Sequence, residues 1–441
     1  MPDPAPAQRL VAQAAELVGR YRRQGGSPRE LLAQRAGDRD QVAAAELASL
    51  FYGVVAHRRR LEYALEAAPD WSLLAPAAQD VVVVLAFAVS SKTMTTPAAA
   101  QVLTHWTSLP MPWPSLLAVD QRIAAEAEPA RRFGLQHSMT DAWATTFLAE
   151  YGERAAAVAA ALLLPAPRTI RANLLRIGSR EVLATELTQV GVATKPTAFG
   201  PHGLHVTDAT PLFTLPAFCS GQFEQQDEGS QLVAQVVAPP PRGRVLDACA
   251  GSGGKTLALA ASLLNRGELL ATEVHDGRRR ELELRCRRAG TSNVRTLATS
   301  EHDWPEPVCA FAARADRILL DVPCSGVGSW RRRPEARWTL QPDAVPPLLS
   351  LQAELLDRAA SLLKPGARLV YSTCTLFAAE NEAQVAALRA RRPELELVRV
   401  AEILGGAVAA PITDPSGTYL QLLPHVHGTD GFFAAVLRRP R

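Results

Sequence analysis

Val245-Leu246-Asp247-Ala248-Cys249-Ala250-Gly251-Ser252-Gly253-Gly254-Lys255-Thr256 is an apolar run that ends in an acid, turns on glycines and enters a segment rich in Ala and Leu. That order reads as strand, tight turn, helix, the repeating unit of an open α/β sheet. The pattern recurs downstream. Leu269-Leu270-Ala271-Thr272-Glu273, Arg317-Ile318-Leu319-Leu320-Asp321 and Arg368-Leu369-Val370-Tyr371-Ser372 are apolar runs ending in polar residues, with helical segments between them. From Arg244 onward the alternation predicts a doubly wound parallel sheet whose ligand lies at the carboxyl ends of its strands.

The glycine turn narrows the ligand. A phosphate-cradling P-loop needs glycine where Cys249 stands, and a dinucleotide fingerprint needs one at Thr256, so neither fits. What remains is a glycine turn followed by an acid, Glu273, at the end of the next strand, placed to accept hydrogen bonds from a ribose. An adenosyl cofactor without a pyrophosphate fits best, and S-adenosylmethionine is the common one; a purely structural turn is the alternative.

Upstream, the texture is helical over residues 1–130. Residues 40–65 carry Ala, Leu and Glu at helical spacing without proline, and the apolar run 81–89, flanked by alanines, predicts a buried helix. Thr169-Ile170-Arg171-Ala172-Asn173 reads as a strand. Ser179 reads as the N-cap of a helix reaching Val190. These features place a small α/β subdomain over 131–221 and the large α/β domain over 222–441.

Composition sets outer limits. The chain has 441 residues, 47% hydrophobic and 21% charged, the balance of a globular protein of more than one domain. A net charge of +3 says little about partners. Lys92, Lys195, Lys255 and Lys364 are its lysines, so arginine carries most positive charge. The six cysteines form no C-x-x-C pair, which argues against a disulfide framework or zinc site. The start lacks a charged segment followed by an apolar one, and 81–89 is too short to span a bilayer. A cytoplasmic protein with reduced thiols is expected.

Cys324, in Asp321-Val322-Pro323-Cys324-Ser325, and Cys374, in Ser372-Thr373-Cys374-Thr375, stand just past apolar strands on one expected sheet edge. A thiol at such a place becomes nucleophilic when positive charge lies near it. Cys286 and Cys309 read as small buried apolar residues. Arg331, Arg332, Arg333 and Arg337, interleaved with Trp330 and Trp338, suit a nucleic acid, with arginine for phosphate and aromatics for bases. Arg58-Arg59-Arg60 is a weaker hint of the same kind. Arg278, Arg279, Arg280, Arg285, Arg287 and Arg288 read as a solvated helix face.

Together the motifs around Cys324 and Cys374 resemble the RNA cytosine-5 methyltransferases of the Nop2/Sun type, with the greatest likeness to the bacterial 16S rRNA cytosine-5 methyltransferase B type. Gln226-Asp227-Glu228-Gly229-Ser230, Arg332-Arg333-Pro334-Glu335 and Thr429-Asp430-Gly431-Phe432-Phe433 are similar to further motifs of that family. The resemblance implies a class I (Rossmann-like) methyltransferase domain with a small α/β subdomain and an N-terminal all-helical NusB-like RNA-binding domain. It implies S-adenosylmethionine as cofactor, held by Cys249, Ala250, Gly251, Ser252, Gly253, Gly254, Lys255, Glu273 and Asp321. It implies Cys374 as nucleophile on carbon 6 of cytosine, Cys324 as the group that assists release, and Lys255 and Asp321 as groups that orient the base. The implied partner is RNA, 16S rRNA foremost, and a monomer without metal or membrane is expected. Two features depart from the family pattern. The loop lacks the family's proline, and 296–300 holds no aspartate on the adenine side. Alternatives are the same chemistry on tRNA or another rRNA site, DNA cytosine-5 methylation through Cys324, and a non-catalytic RNA-binding assembly factor.

Overall fold

The computed structural model describes residues 6–34, 41–68 and 70–441. The stretch 1–5, read above for a leader, and Asp40 lie outside the described residues. The chain forms two compact units: 1–164 with 330–342, and 165–329 with 343–441.

The first unit is helical. Its central helix, Pro76–Ser90, buries every residue from Val81 to Ala88, as its unbroken apolar run predicts. Asp80 on that helix is buried too, and Arg22 meets it at 2.8 Å. Gln41–Ala56 packs so closely that a Cβ at Gly53 would stand 2.0 Å from the Phe87 ring. The segment read as helical over 40–65 forms two helices, Gln41–Ala56 and Arg58–Glu66, broken at His57. One residue of bend leaves apolar spacing nearly unchanged, so periodicity does not register it. Arg58, Arg59 and Arg60 then pair with Glu62, Asp141 and Asp120 at 2.9, 2.5 and 2.7 Å.

The unit does not end at 130, which falls inside helix Pro129–Gln136; Asp141–Tyr151 and Ala155–Ala161 also belong to it. It further takes residues 330–342 from the middle of the other unit's sequence. Trp330 is fully buried, edge-on to Trp143 at 5.4 Å. Trp143 Nε1 donates to Leu340 O at 2.9 Å, and Trp338 Nε1 donates to Val55 O at 2.8 Å.

Arg337 requires a correction. It is fully buried, and its guanidinium donates to Ala56 O, Ser138 O and Leu162 O at 3.4, 3.2 and 3.0 Å. Those carbonyls stand at the carboxyl ends of Gln41–Ala56, Pro129–Gln136 and Ala155–Ala161, where a helix dipole favours a cation. Burial still works against the charge, drawing its pKa down to about 9. A side chain so enclosed does not reach a phosphate. Arg331 and Arg332 are half-buried, and Arg333 is exposed.

The second unit holds two sheets. The strands β1 (Thr169–Ala172), β2 (Thr194–Pro196), β3 (Gly203–Val206) and β4 (Phe223–Gln225) form an antiparallel sheet in the order β2-β3-β1-β4. Its last strand lies past the boundary expected at 221. Ser179 caps helix Arg180–Gln189 as expected, its hydroxyl accepting from the backbone of Glu181 and Val182. The large sheet comprises β5 (Arg244–Asp247), β6 (Glu268–Glu273), β7 (Val294–Ala298), β8 (Arg317–Asp321), β9 (Arg368–Thr373), β10 (Glu396–Val398), β11 (Leu420–Leu422) and β12 (Phe432–Arg438). Its order is β10-β12-β9-β8-β5-β6-β7, with β11 beside β12. β5 to β9 run parallel and β12 is antiparallel to β9.

This is the doubly wound class I methyltransferase fold. Alternate residues feed opposite faces: Leu246, Ile318, Leu369 and Tyr371 lie in one buried cluster, and Val245, Leu319 and Val370 in the other. The chain reverses its direction across the sheet between β5 and β8, so the crevice for a ligand opens at their carboxyl ends. Among the described residues no helix is long and apolar enough to cross a membrane, and no group of His, Cys, Asp or Glu is placed to hold a metal ion.

Candidate active site

β5 delivers the glycine turn to that crevice. Gly251 and Gly253 adopt φ +56° and +87°, which glycine alone takes without cost, and a Cβ on Gly253 would stand 2.1 Å from Leu282. Helix Gly254–Ser262 starts there and carries Lys255 inward. Ala250 N donates to Thr272 O at 2.9 Å, and Ser252 Oγ donates to Glu281 Oε2 at 2.7 Å. Burial pushes the Cys249 thiol well above its usual pKa, so it serves the loop as an uncharged wall. Glu273 closes the far side, accepting from Gly251 N at 2.8 Å and His275 N at 2.9 Å.

Sequence reasoning left Asp247 unassigned. It is buried, and Thr256 Oγ1 donates to its Oδ2 at 2.7 Å while its Oδ1 has no hydrogen-bond partner among the described residues. Burial, with Asp321's charge adding to it, raises its pKa to about 7.

Lys255 Nζ meets Asp321 Oδ2 at 2.6 Å, and Ser372 Oγ donates to Asp321 Oδ1 at 3.0 Å. Burial disfavours the ammonium, but Asp321's charge and hydrogen bond outweigh it and hold Lys255 above its ordinary pKa. The Phe432 ring, 5.1 Å from Nζ, adds a face that favours a cation.

β8 and β9 bring Cys324 and Cys374 together, their sulfurs 3.5 Å apart. The two loops touch through backbone. Gly328 N donates to Cys374 O at 3.0 Å, and a Cβ on Gly328 would meet Gly431 O at 2.5 Å and Cys374 O at 2.9 Å. The thiols are unequal. The hydrogen bond shared with Cys374 raises the Cys324 pKa well above the ordinary thiol value, with burial and the nearby charge of Cys374 and Glu380 acting the same way. Cys374 is lowered by that same bond, against burial, and Lys255 helps. The shared hydrogen bond thus favours the charge on Cys374 and the proton on Cys324. Limited alkylation with iodoacetamide at about pH 8, below the ordinary thiol value, is expected to label Cys374 before Cys324. Peptide mass spectrometry reads the order, and the reverse order would contradict this polarity.

The expected residues thus converge, apart from the arginines of 331–337, which lie in the helical unit. On helix Asp276–Ala289, Arg278, Arg280 and Arg287 are exposed as expected, whereas Arg285 and Arg288 hold the buried Glu224 of β4 at 3.0 and 2.7 Å rather than facing solvent.

A family model described as 16S rRNA methyltransferase RsmB/F matches residues 234–438, and one for the ferredoxin-like domain of the same family matches 141–212. "Probable ribosomal RNA small subunit methyltransferase B" of Bacillus subtilis (strain 168) is 30% identical over 314 residues, covering 71% of this chain and 69% of that relative. The chain belongs to the RsmB/F family. Its similarity to the protein of the same description from Synechocystis sp. is 36% over 272 residues, 61% of this chain. There it spans 59% of the relative's length. A methyltransferase homolog from Pyrococcus horikoshii, solved as a crystal structure, superimposes with a TM-score of 0.59 at 30% identity, covering 69% of this chain and 97% of that one. The parallel pairing of β8 with β9 accounts for both cysteine loops lying at one sheet edge.

Proposed function

We propose that this protein is an S-adenosylmethionine-dependent RNA cytosine-5 methyltransferase acting on 16S rRNA through a covalent cysteine–cytosine intermediate. The observation that carries this is the contact of two polarised thiols beside the Lys255–Asp321 pair. The cofactor fits the loop. Among the described residues, its chain neighbours aside, no atom lies within 4 Å of the place a Gly251 side chain would take, which leaves the backbone open to close approach. Glu273 spends part of its acceptor capacity on Gly251 and His275 and keeps lone pairs for ribose hydroxyls. The unpartnered Asp247 Oδ1 keeps an acceptor beneath the loop. When bound, S-adenosylmethionine supplies an electrophilic methyl group.

The chain's own residues do the rest. Carbon 5 of cytosine is a poor nucleophile, and the Cys374 thiolate overcomes this by adding to carbon 6, which makes carbon 5 electron-rich. Lys255 and Asp321 are placed to hold the ring by its polar edge. Once carbon 5 is methylated, Cys324 removes its proton and Cys374 leaves. The base must be splayed out to reach both sulfurs, so the target is single-stranded or flipped. The helical unit, NusB-like, and Arg331, Arg332 and Arg333 are the proposed RNA contacts; the enzyme works as a cytoplasmic monomer.

A trapping experiment tests the assignment. Cys324→Ala, produced in cells lysed in denaturant, is expected to carry covalently attached RNA, since addition proceeds and release does not. Sequencing that RNA is expected to return one cytosine of 16S rRNA. Attached tRNA would replace the substrate, and a variant free of RNA with unimpaired methyl transfer would remove the role given to Cys324.

A further inference from the structure

Behind the two cysteines lies a carboxylate that the chemistry above does not use. Glu380 has no exposed surface and ends the short turn Ala378–Glu380 after the Cys374 loop. Its Oε2 accepts from Ser325 N at 2.8 Å and Gln352 Nε2 at 3.1 Å. Its Oε1 accepts from the hydroxyls of Ser325 at 2.5 Å and Thr375 at 2.9 Å. Ser325 follows Cys324 and Thr375 follows Cys374, so one carboxylate grips the residue after each cysteine.

The grip is itself anchored. Tyr371 OH donates to Glu380 O at 2.6 Å, and Thr373 Oγ1 donates to Asn381 Oδ1 at 2.6 Å, tying this segment to β9. Gln352 adds a bond to Pro323 O at 3.0 Å, on the other side of Cys324. A carboxylate buried without a cation is costly unless its lone pairs are filled, and here four donors fill them.

We propose that Glu380 is a positioning residue for the release step: by joining Ser325 to Thr375 it fixes Cys324 Sγ where it can take the carbon-5 proton of the cytosine bound to Cys374. This rests on the roles given to the two cysteines above. In that step Cys324 first gives its own thiol proton to solvent; the resulting thiolate takes the carbon-5 proton and the C5–H electron pair re-forms the C5=C6 bond. The C6–S bond breaks, its pair leaving on Cys374 as thiolate, and water is the only other participant. The charge of Glu380 also raises the proton affinity of Cys324 and makes it a stronger base once ionised.

The test uses the full chain, unmethylated 16S rRNA and S-adenosylmethionine, with Cys324→Ala as benchmark. Glu380→Ala is expected to bind cofactor as the parent does, complete a first methyl transfer, then accumulate adduct, with turnover down about a hundredfold. Glu380→Gln keeps the contacts, because the Ser325 and Thr375 hydroxyls accept as well as donate. Its turnover is expected to persist, with the rising alkaline limb displaced to lower pH because the charge beside Cys324 is gone. Undiminished turnover in Glu380→Ala, or turnover lost without adduct while cofactor binding holds, would overturn the proposal. Should Glu380→Ala not fold, the pH profile of Glu380→Gln decides, and an unmoved limb overturns it. If Cys324→Ala traps no RNA, the cysteine roles fail and the proposal with them; if it traps RNA and Glu380→Ala does not, Glu380 alone is refuted.

Discussion

Replacing Cys374 with alanine is expected to lower methyl transfer by about 10⁴-fold or more, the usual scale for loss of a nucleophile, and to remove every protein–RNA adduct. Cofactor binding should survive, because Cys374 is not part of the glycine loop. Cys324 stands 3.5 Å away yet cannot substitute, since its proton is held more tightly. The pH profile of the parent carries the same asymmetry. Cys374 has a depressed pKa, so the thiolate needed for attack is present from below the ordinary thiol value upward and is lost as pH falls through that lowered pKa. Single-turnover methyl transfer and a denaturing gel check both points. If Cys374→Ala still forms adduct while Cys324→Ala is dead, the nucleophile belongs to the Pro-Cys motif, as in DNA cytosine methylation, and the assignment is reversed.

Arg337→Leu is expected to loosen the helical unit by about 3–5 kcal/mol, because it strands buried carbonyls that now accept from one guanidinium. Ala56 O, Ser138 O and Leu162 O each lose their charged donor together with its complement to three helix dipoles. Leucine returns apolar contact with Trp330, whose ring lies 5.1 Å from the Arg337 guanidinium carbon, but supplies no hydrogen bond. Hydrogen exchange should rise in Gln41–Ala56, Pro129–Gln136 and Ala155–Ala161, while the strands around Asp321 keep their protection. Unchanged exchange combined with weakened RNA binding would show that Arg337 meets RNA after all.

Arg337 also marks where the sequence stops being legible. Its neighbours Arg331, Arg332 and Arg333 and the flanking tryptophans have the composition of a nucleic-acid surface. Burial, however, is decided by carbonyls hundreds of positions away in the chain, and no local pattern carries that. Glu380 was missed for the same reason: a glutamate five residues past Thr375 reads as surface until four donors from three segments are seen around it. By contrast, the strand ends were readable because a parallel strand buried on both faces must be apolar along its length and turn polar where it emerges. The same rule located Glu273, Asp321 and Cys374. The 81–89 helix was readable from the apolar run itself. Past β7 the expected acid is replaced by hydroxyls: Ala298 pairs with Glu273 in register, and Thr299 and Ser300 turn their hydroxyls back onto Asp303 O.

The loan of residues 330–342 to the helical unit has a consequence for synthesis. When Leu164 has been translated, that unit still lacks Trp330, Arg337 and Trp338, which fill its interior and satisfy its helix ends. At ordinary elongation rates it waits roughly ten to forty seconds before Pro342 is made. The nascent chain therefore carries an unfinished N-terminal bundle, open to chaperones, through most of the period in which the sheet strands are being produced. A gene fragment stopping at Leu164 should behave like that nascent chain, with exposed apolar surface and a tendency to aggregate, and supplying 330–342 as a fused segment should mend it.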